Sequence, residues 1–514
     1  SCFYLCAEHR FVEARQVMRT AQPAIAQANS AYGVGWVALL TSIVSVYEGD
    51  YAGVHNDLLA LLSRTRMALG DGAAMTGTIA LVAAKCAVEM SQDPEARELL
   101  TQGLRWRILV AALIGLAGLP LNLGRLALSG VVLAAVGIVI GGAFGTVIQS
   151  VQEPNIAREV TLGSGIPATV PAFTVGRACA SSSQAITSAA EQIALGMADV
   201  VIAGGAESLT DVPILFSEEM RDALVAASKA RSVPDRLKAF AGIRPRHLAP
   251  ITPAIAEPTT GLTMGQSAEK MAQENGITRE AQDRWALRSH ELAWAATEDG
   301  RLTREIAPVY VDGQAVTRDN GIRGDTSLEK LAQLRPAFDR RYGTVTAGNA
   351  SPLTDGASAV LLMSEEKARA LGYEPLGYIR SYSYAALAPA DQLLQGPVLA
   401  APVALERAGI SMADVTLMDM HEAFAAQVLS NLQWLDSRTI AQERLGRSEP
   451  IGHPAEDRIN VMGGSIAIGH PFGATGGRIT VTLLNELKRR GGGLGLITVC
   501  AAGAMGFAMV VETE

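Results

Sequence analysis

The spacing of apolar positions changes twice along the chain. Over residues 1–104 they recur at helical intervals: Phe11, Ala14, Val17 and Met18 form one set, Leu58, Leu61 and Leu62 another. This period predicts amphipathic helices, with a turn at Gly49-Asp50-Tyr51. From residue 105 the pattern gives way to uncharged runs, Ile108–Gly124 and Leu126–Gln152, separated by Arg125. Leu126–Phe144 has about the length a membrane span needs. Its glycines, Pro120 just before it and the lack of an aromatic belt favour a buried strand and helix instead. From Phe144 onward short apolar runs alternate with helical ones. Strands are expected at Phe144–Ile148, Ala172–Val175, Val200–Ala203, Ala359–Met363, Leu417–Met420 and Leu496–Val499, and helices at Gln184–Met197 and Arg478–Arg489. That alternation predicts an α/β fold of layered sheets and helices. Residues 208–334 interrupt it with charge, proline and polar turns, and read as an inserted lobe of helices and loops. Val201–Ala206 and Thr498–Gly503 each read as a strand running into a small-residue turn, which hints at two similar halves.

Composition narrows the class. Charged residues are 18% and hydrophobic ones 49%, a globular balance. A length of 514 residues suggests two to four domains. The net charge of −8, without a basic stripe, argues against nucleic acid as the main partner. Five scattered cysteines (Cys2, Cys6, Cys86, Cys179, Cys500) suit a reducing compartment rather than a disulfide framework. A cytoplasmic location is therefore expected, with membrane association through 105–143 as the lesser alternative. No Cys/His cluster has zinc-ligand spacing, so no metal is expected. No signal-peptide pattern is legible, and a chain opening on Ser1 leaves open a start further upstream.

Four stretches carry reactive groups in small-residue settings. Gly176-Arg177-Ala178-Cys179-Ala180-Ser181 follows a predicted strand and precedes a predicted helix. Cys179 is thus expected near a helix N-terminus, where unpaired N–H groups favour a thiolate; the alternative is a buried, inert thiol. Met420-His421-Glu422-Ala423-Phe424 directly follows a predicted strand. Gly463-Gly464-Ser465 through Gly469-His470-Pro471-Phe472-Gly473 crowds glycines before a helix, with Pro471 restricting the backbone of His470; a structural or phosphate-binding loop is the alternative. The last stretch is Val499-Cys500-Ala501-Ala502-Gly503. Two cysteines and two histidines in one α/β frame suit nucleophile-plus-base chemistry.

Together these stretches resemble the thiolase family over residues 144–514, and weakly from about 107. The likeness is to the degradative kind found as the β subunit of a trifunctional β-oxidation complex. It rests also on Pro154–Glu159, Gly204-Gly205-Ala206-Glu207-Ser208, Arg335–Phe338, Thr346–Ser351 and Asp355-Gly356-Ala357. Many thiolases have Asn where this chain has His421. The resemblance implies a thiolase fold of two similar halves, 105–374 and 375–514, with the lobe at about 208–334 inserted in the first. It implies cleavage of 3-ketoacyl-CoA by CoA through an acyl-thioester on Cys179. His470 would be the base and Cys500 the acid–base thiol. His421 with His470 would hold one oxyanion, and the backbone N–H groups of Cys179 and Ala502 the other. Met264, Ser351 and Phe424 would line the pantetheine tunnel, and Arg231 and Arg236 are unranked candidates for the nucleotide end. No bound cofactor is implied, since CoA is a substrate. The implied partners are a second copy of the chain and a hydratase/dehydrogenase subunit.

The start of the family pattern is altered. Ile108–Leu113 is the candidate first strand and Leu119–Arg125 the candidate first helix start, and an unpaired sheet edge would remain without that strand. The all-helical segment 1–104 matches nothing in the family and resembles, at low specificity, tetratricopeptide-like arrays. A natural fusion and a misjoined reading both account for it, and the second is expected. The rival functions are acetyl-CoA condensation and a helical-repeat or membrane interaction protein carrying an inactive thiolase module.

Overall fold

The computed structural model describes residues 140–251 and 256–514. The segment 1–104, the candidate strand at 108–113 and most of the apolar stretch 105–143 lie outside them. The first half contains β1 (Ile140–Gly145), α1 (Ile156–Gly163), β2 (Ala172–Val175), α2 (Ser181–Ala194) and β3 (Val200–Glu207). The lobe follows with α3 (Glu218–Lys229), α4 (Val233–Ala239), α5 (Met264–Glu274), α6 (Arg279–Glu298), a hairpin of β4 (Val309–Val311) and β5 (Gln314–Val316), and α7 (Leu328–Ala332). The chain returns to the sheet at β6 (Gly356–Met363), followed by α8 (Glu365–Leu371). The second half contains β7 (Tyr378–Ala386), α9 (Gly396–Ala408), β8 (Leu417–Met420), α10 (Ala425–Leu435), α11 (Arg438–Leu445), α12 (Ser465–Ile468), α13 (Thr475–Arg489), β9 (Gly493–Ala501) and β10 (Met505–Thr513).

Two four-stranded sheets result, ordered β2-β1-β3-β6 and β7-β10-β9-β8. In the first, β1 is parallel to β2 and β3, and β6 closes antiparallel to β3. In the second, β8 is parallel to β9, while β10 is antiparallel to β9 and β7. The two similar halves expected from the sequence are present. Helices α2 and α13 fill the space between the sheets. Ile479, Leu483 and Leu487 of α13 recur every four residues and so share one face. With Ile186 of α2 they meet Val201 and Ala203 on one side and Ile497, Phe507 and Met509 on the other. Each large apolar side chain buried there contributes roughly 1.5–3 kcal/mol. The far face of the second sheet is covered by Val398 and Leu405 of α9 and Val428 and Leu432 of α10.

Several boundaries differ from the sequence expectation. The strand expected at Phe144–Ile148 lies four residues earlier, at β1. The N–H groups of Val147 and Ile148 leave the ladder for the Glu207 carboxylate, at 3.0 and 2.9 Å. Ala143 and Phe144 are buried in this inner strand, so the end of the Leu126–Phe144 run is sheet core. No helix among the described residues is long and apolar enough to cross a membrane. Helix α2 starts at Ser181 rather than Gln184 because Ser181 closes its first turn, accepting from Arg177 N and donating to Ala178 O. It ends before Met197, which is exposed. Gly204–Ala206 is not a turn: it remains in β3, paired with Ala359–Ala357. There Gly205 admits the backbone of another loop, since a Cβ at that position would lie 1.8 Å from Gly473 O.

Candidate active site

The turn between β2 and α2 carries Cys179. Ala178 just before it has φ +45°, a left-handed conformation rare for a residue with a side chain. The flanking contacts hold it there: Ser181 grips both sides of the turn, and Arg177 stacks on Tyr384 at 4.1 Å and donates to Gln184 Oε1. The result projects the Cys179 sulfur into a cavity of about 400 Å³. The backbone N–H groups of Ala502 and of Cys179 itself lie near that sulfur and favour its charged form.

The second half brings three loops to the same place. His421 follows β8 directly, and its N–H is tied to Thr498 O of β9 at 2.8 Å. His470 lies between α12 and α13, its N–H donating to Pro352 O at 3.2 Å. Cys500 is on β9, and Ala502 to Ala504 form the hairpin into β10. Ala502 is not among the residues with positive φ, so alanine there needs no strained backbone. The two imidazoles pack at 4.1 Å between centroids. A ligating atom from each of Cys179, His421 and His470 lies within 4.8 Å of the others, so a soft cation would find three ligands here.

Two buried carboxylates fix these loops, and the sequence reading assigned neither a role. Glu207, at the end of β3, accepts from Val147 N, Ile148 N, Gly473 N and Thr146 Oγ1. It therefore joins the exit of β1 to the His470 loop. Glu422, beside His421, accepts from Trp285 Nε1, Asn460 Nδ2, Ser289 Oγ and Ile466 N at 3.0, 2.8, 2.7 and 3.3 Å. It joins the His421 loop to α6 and α12. Gly464 is required beside it, because a Cβ there would lie 2.3 Å from the Glu422 carboxyl carbon. The signal for both was present, as an acidic residue inside an apolar stretch, with glycines beside Glu207.

The electrostatics correct one expectation. The helix start was expected to favour the Cys179 thiolate. Burial instead pushes the thiol up from 9.0 to about 11, against the pull of the Ala502 and Cys179 N–H groups, and Glu207 adds to the rise. Burial likewise raises Cys500, with Cys179 adding to it. His470 is lowered to about 3 by burial and by the Arg478 charge. His421 is held well below the usual imidazole range by burial, then by His470 and Arg478. At neutral pH the site therefore rests as neutral thiols and neutral imidazoles.

The cavity is lined by Cys179, His470, Cys500 and Ala502, and also by Met264, Ser351 and Phe424. All three expected tunnel residues thus share a wall with the reactive groups. Ser351 is fixed by two hydrogen bonds to Ala423 O, and Phe424 meets Phe338 edge-on at 6.1 Å. His421 is not part of that lining, but its ring packs on His470 and one of its nitrogens lies within 4.8 Å of the reactive atoms of Cys179 and His470. Arg231 and Arg236 are exposed in the lobe, Arg236 on α4.

Residues 125–366 match the family model described as "Thiolase, N-terminal domain", and residues 373–513 match "Thiolase, C-terminal domain". A 3-ketoacyl-CoA thiolase of Yersinia pestis is 53% identical over 373 residues, covering 72% of this chain and 86% of that protein. A 3-ketoacyl-CoA thiolase of Yersinia pseudotuberculosis matches to the same extent. The crystal structure of the Bacillus anthracis acetyl-CoA acetyltransferase aligns with a TM-score of 0.60 at 36% identity, covering 73% of this chain and 87% of that one. With both domain models matched and more than half of the residues shared along most of a curated relative, the chain belongs to the thiolase family.

Proposed function

We propose that the chain catalyses the cleavage of a 3-ketoacyl-CoA by CoA, giving acetyl-CoA and a shortened acyl-CoA. The observation that carries this is the meeting of Cys179, His470, Cys500 and the Ala502 loop at one cavity. The names of the Yersinia relatives support the degradative substrate.

The resting charges suggest how the steps run. Cys179 begins as a thiol, so its proton leaves as the sulfur attacks the 3-keto carbon. His470 accepts that proton at Nε2, since its Nδ1 already faces Thr475 Oγ1 at 2.6 Å. The carbon–carbon bond then breaks, leaving the acyl group on Cys179 and the carbanion of acetyl-CoA. Cys500 gives its proton to that carbanion and becomes a thiolate. It later takes the proton of the incoming CoA thiol, which attacks the acyl-Cys179 thioester. Departing Cys179 recovers its proton from His470. Negative charge on one thioester oxygen faces the N–H groups of Cys179 and Ala502, and on the other the Nε2 atoms of His421 and His470. Met264, Ser351 and Phe424 hold the pantetheine arm. A homo-oligomer, alone or with a hydratase/dehydrogenase subunit, is the assembly the family resemblance supports.

The test is turnover by the purified full chain. A 3-ketoacyl-CoA with CoA should yield acetyl-CoA and shortened acyl-CoA in equal amounts, faster for longer substrates than for acetoacetyl-CoA. A folded sample that makes no acetyl-CoA overturns the proposal, and a preference for condensing two acetyl-CoA reverses its direction.

A further inference from the structure

The paired imidazoles have different surroundings at Nδ1, and this bears on which nitrogen of each carries its proton. Both rings are buried, His421 to 1% and His470 to 3% exposure. Both have Nδ1 engaged and Nε2 without a partner. Both are held neutral, so each ring has a single N–H, and the partner of Nδ1 decides where it sits.

For His421 that partner is Ser465 Oγ at 3.0 Å. The same oxygen accepts from Arg478 Nη2 at 2.7 Å. A guanidinium has donors and no acceptor, so the serine cannot donate to it. The serine hydrogen is left for the imidazole. His421 Nδ1 then accepts, and the ring proton is on Nε2. For His470 the partner is Thr475 Oγ1, whose hydroxyl also reaches Pro471 O at 3.3 Å. A carbonyl only accepts, so a chain from His470 Nδ1–H through the threonine to Pro471 O satisfies every group. That leaves Nε2 of His470 with a bare lone pair.

Resting on the thiolysis reading above, we propose that Ser465 and Arg478 are positioning residues that lock His421 as an Nε2–H donor, opposite in tautomer to the His470 base beside it. The division has a chemical consequence. Two adjacent imidazoles of one tautomer would offer two bases and no donor, or two donors and no base. With opposite tautomers, one ring takes the Cys179 proton while its neighbour already presents an N–H to the developing oxyanion. Arg478 is suited to the task from outside the cavity. It lies on α13, and a guanidinium offers only donors, so its bond to Ser465 Oγ has a fixed direction.

The test is a double-mutant cycle on thiolysis. Ser465→Ala removes the hydroxyl and frees the tautomer, so kcat should fall roughly tenfold to a hundredfold with KM within about twofold. Asparagine donates from its amide whatever its surroundings. In the His421→Asn background the same Ser465→Ala change should therefore cost less than about threefold. Ser465→Thr, which keeps the hydroxyl, should restore most of the rate. An equal loss in both backgrounds would reduce Ser465 to a structural residue, and no loss with His421 present would remove it altogether.

A second readout does not depend on turnover. In 15N-histidine NMR of the wild-type chain, assigned with His421→Asn, His421 should show a pyridine-like Nδ1 and a pyrrole-like Nε2. A pyrrole-like Nδ1 overturns the proposal even if thiolysis is observed. A pyridine-like Nδ1 in a chain without thiolysis would leave the tautomer assignment standing and sink the functional reading instead.

Discussion

In the first half β3 stays in its ladder through Glu207, and the chain makes a long excursion through the lobe before β6 returns antiparallel to it. In the second half the equivalent pair, β9 and β10, is joined by Ala502, Gly503 and Ala504 alone. The strand frames are alike, yet the connections give the halves different work. The short hairpin holds Cys500 and the Ala502 N–H rigidly at the cavity. The long connection brings Met264 and Ser351 to its wall. The thiol at the start of α2 and the imidazoles after β8 and α12 are added to these frames by loops that share no sequence. Each half also has a buried glutamate that anchors a histidine loop of the site, and here too they differ. Glu207 gathers mostly backbone N–H groups, Glu422 mostly side chains from α6 and the Asn460 loop.

The sharpest way to break this division of labour is at the second thiol. Cys500→Ser should slow carbon–carbon cleavage by roughly 10²–10⁴, the usual range for a lost acid–base group. Exchange of labelled CoA into acyl-CoA should suffer less, because it needs no carbanion protonated. Equal losses in the two assays would mean that the hairpin thiol has no separate role.

Next comes the anchor. Glu422→Gln leaves four buried donors facing one acceptor and an amide, and should lower unfolding stability by about 3 kcal/mol. Urea titration followed by Trp285 fluorescence, against the remaining tryptophans as background, measures it. A loss under half a kcal/mol would mean that the loops are held by packing alone.

The smallest effect concerns the thiol that the first half supplies. Alkylation of Cys179 by iodoacetamide, read by peptide mapping, should rise about tenfold per pH unit through neutrality, because only the thiolate reacts. With the thiol raised to about 11, no plateau should appear below pH 9. Glu207→Gln, which removes a charge that raises it, should move the profile slightly toward lower pH. A plateau near pH 7 would mean that the helix start does set the thiolate, as the sequence pattern alone suggested.

The candidate groups Cys179, His421, His470 and Cys500 could be singled out because each sits in a short stretch whose small neighbours are local. Strand β8 matched its expected span residue for residue, as a short run of Leu417, Met418 and Met420 around Asp419. What was not legible depended on distance. Ser465 reads as a small residue in a glycine loop, and its partner His421 is 44 positions away. The end of β1 was misplaced because Glu207, 60 residues on, draws Val147 N out of the ladder. The rise in the Cys179 thiol comes from burial by β9, α2 and the His470 loop together, which no local pattern encodes.

The most direct test of the whole account is the covalent state of Cys179 itself. The purified chain, free of CoA, is incubated with a 3-ketoacyl-CoA and taken to intact-mass and peptide-mapping spectrometry. The account predicts a shortened acyl group on the peptide holding Cys179, released by added CoA and absent from Cys179→Ser. An unmodified Cys179 in a folded sample, or an adduct that persists in Cys179→Ser, would contradict it.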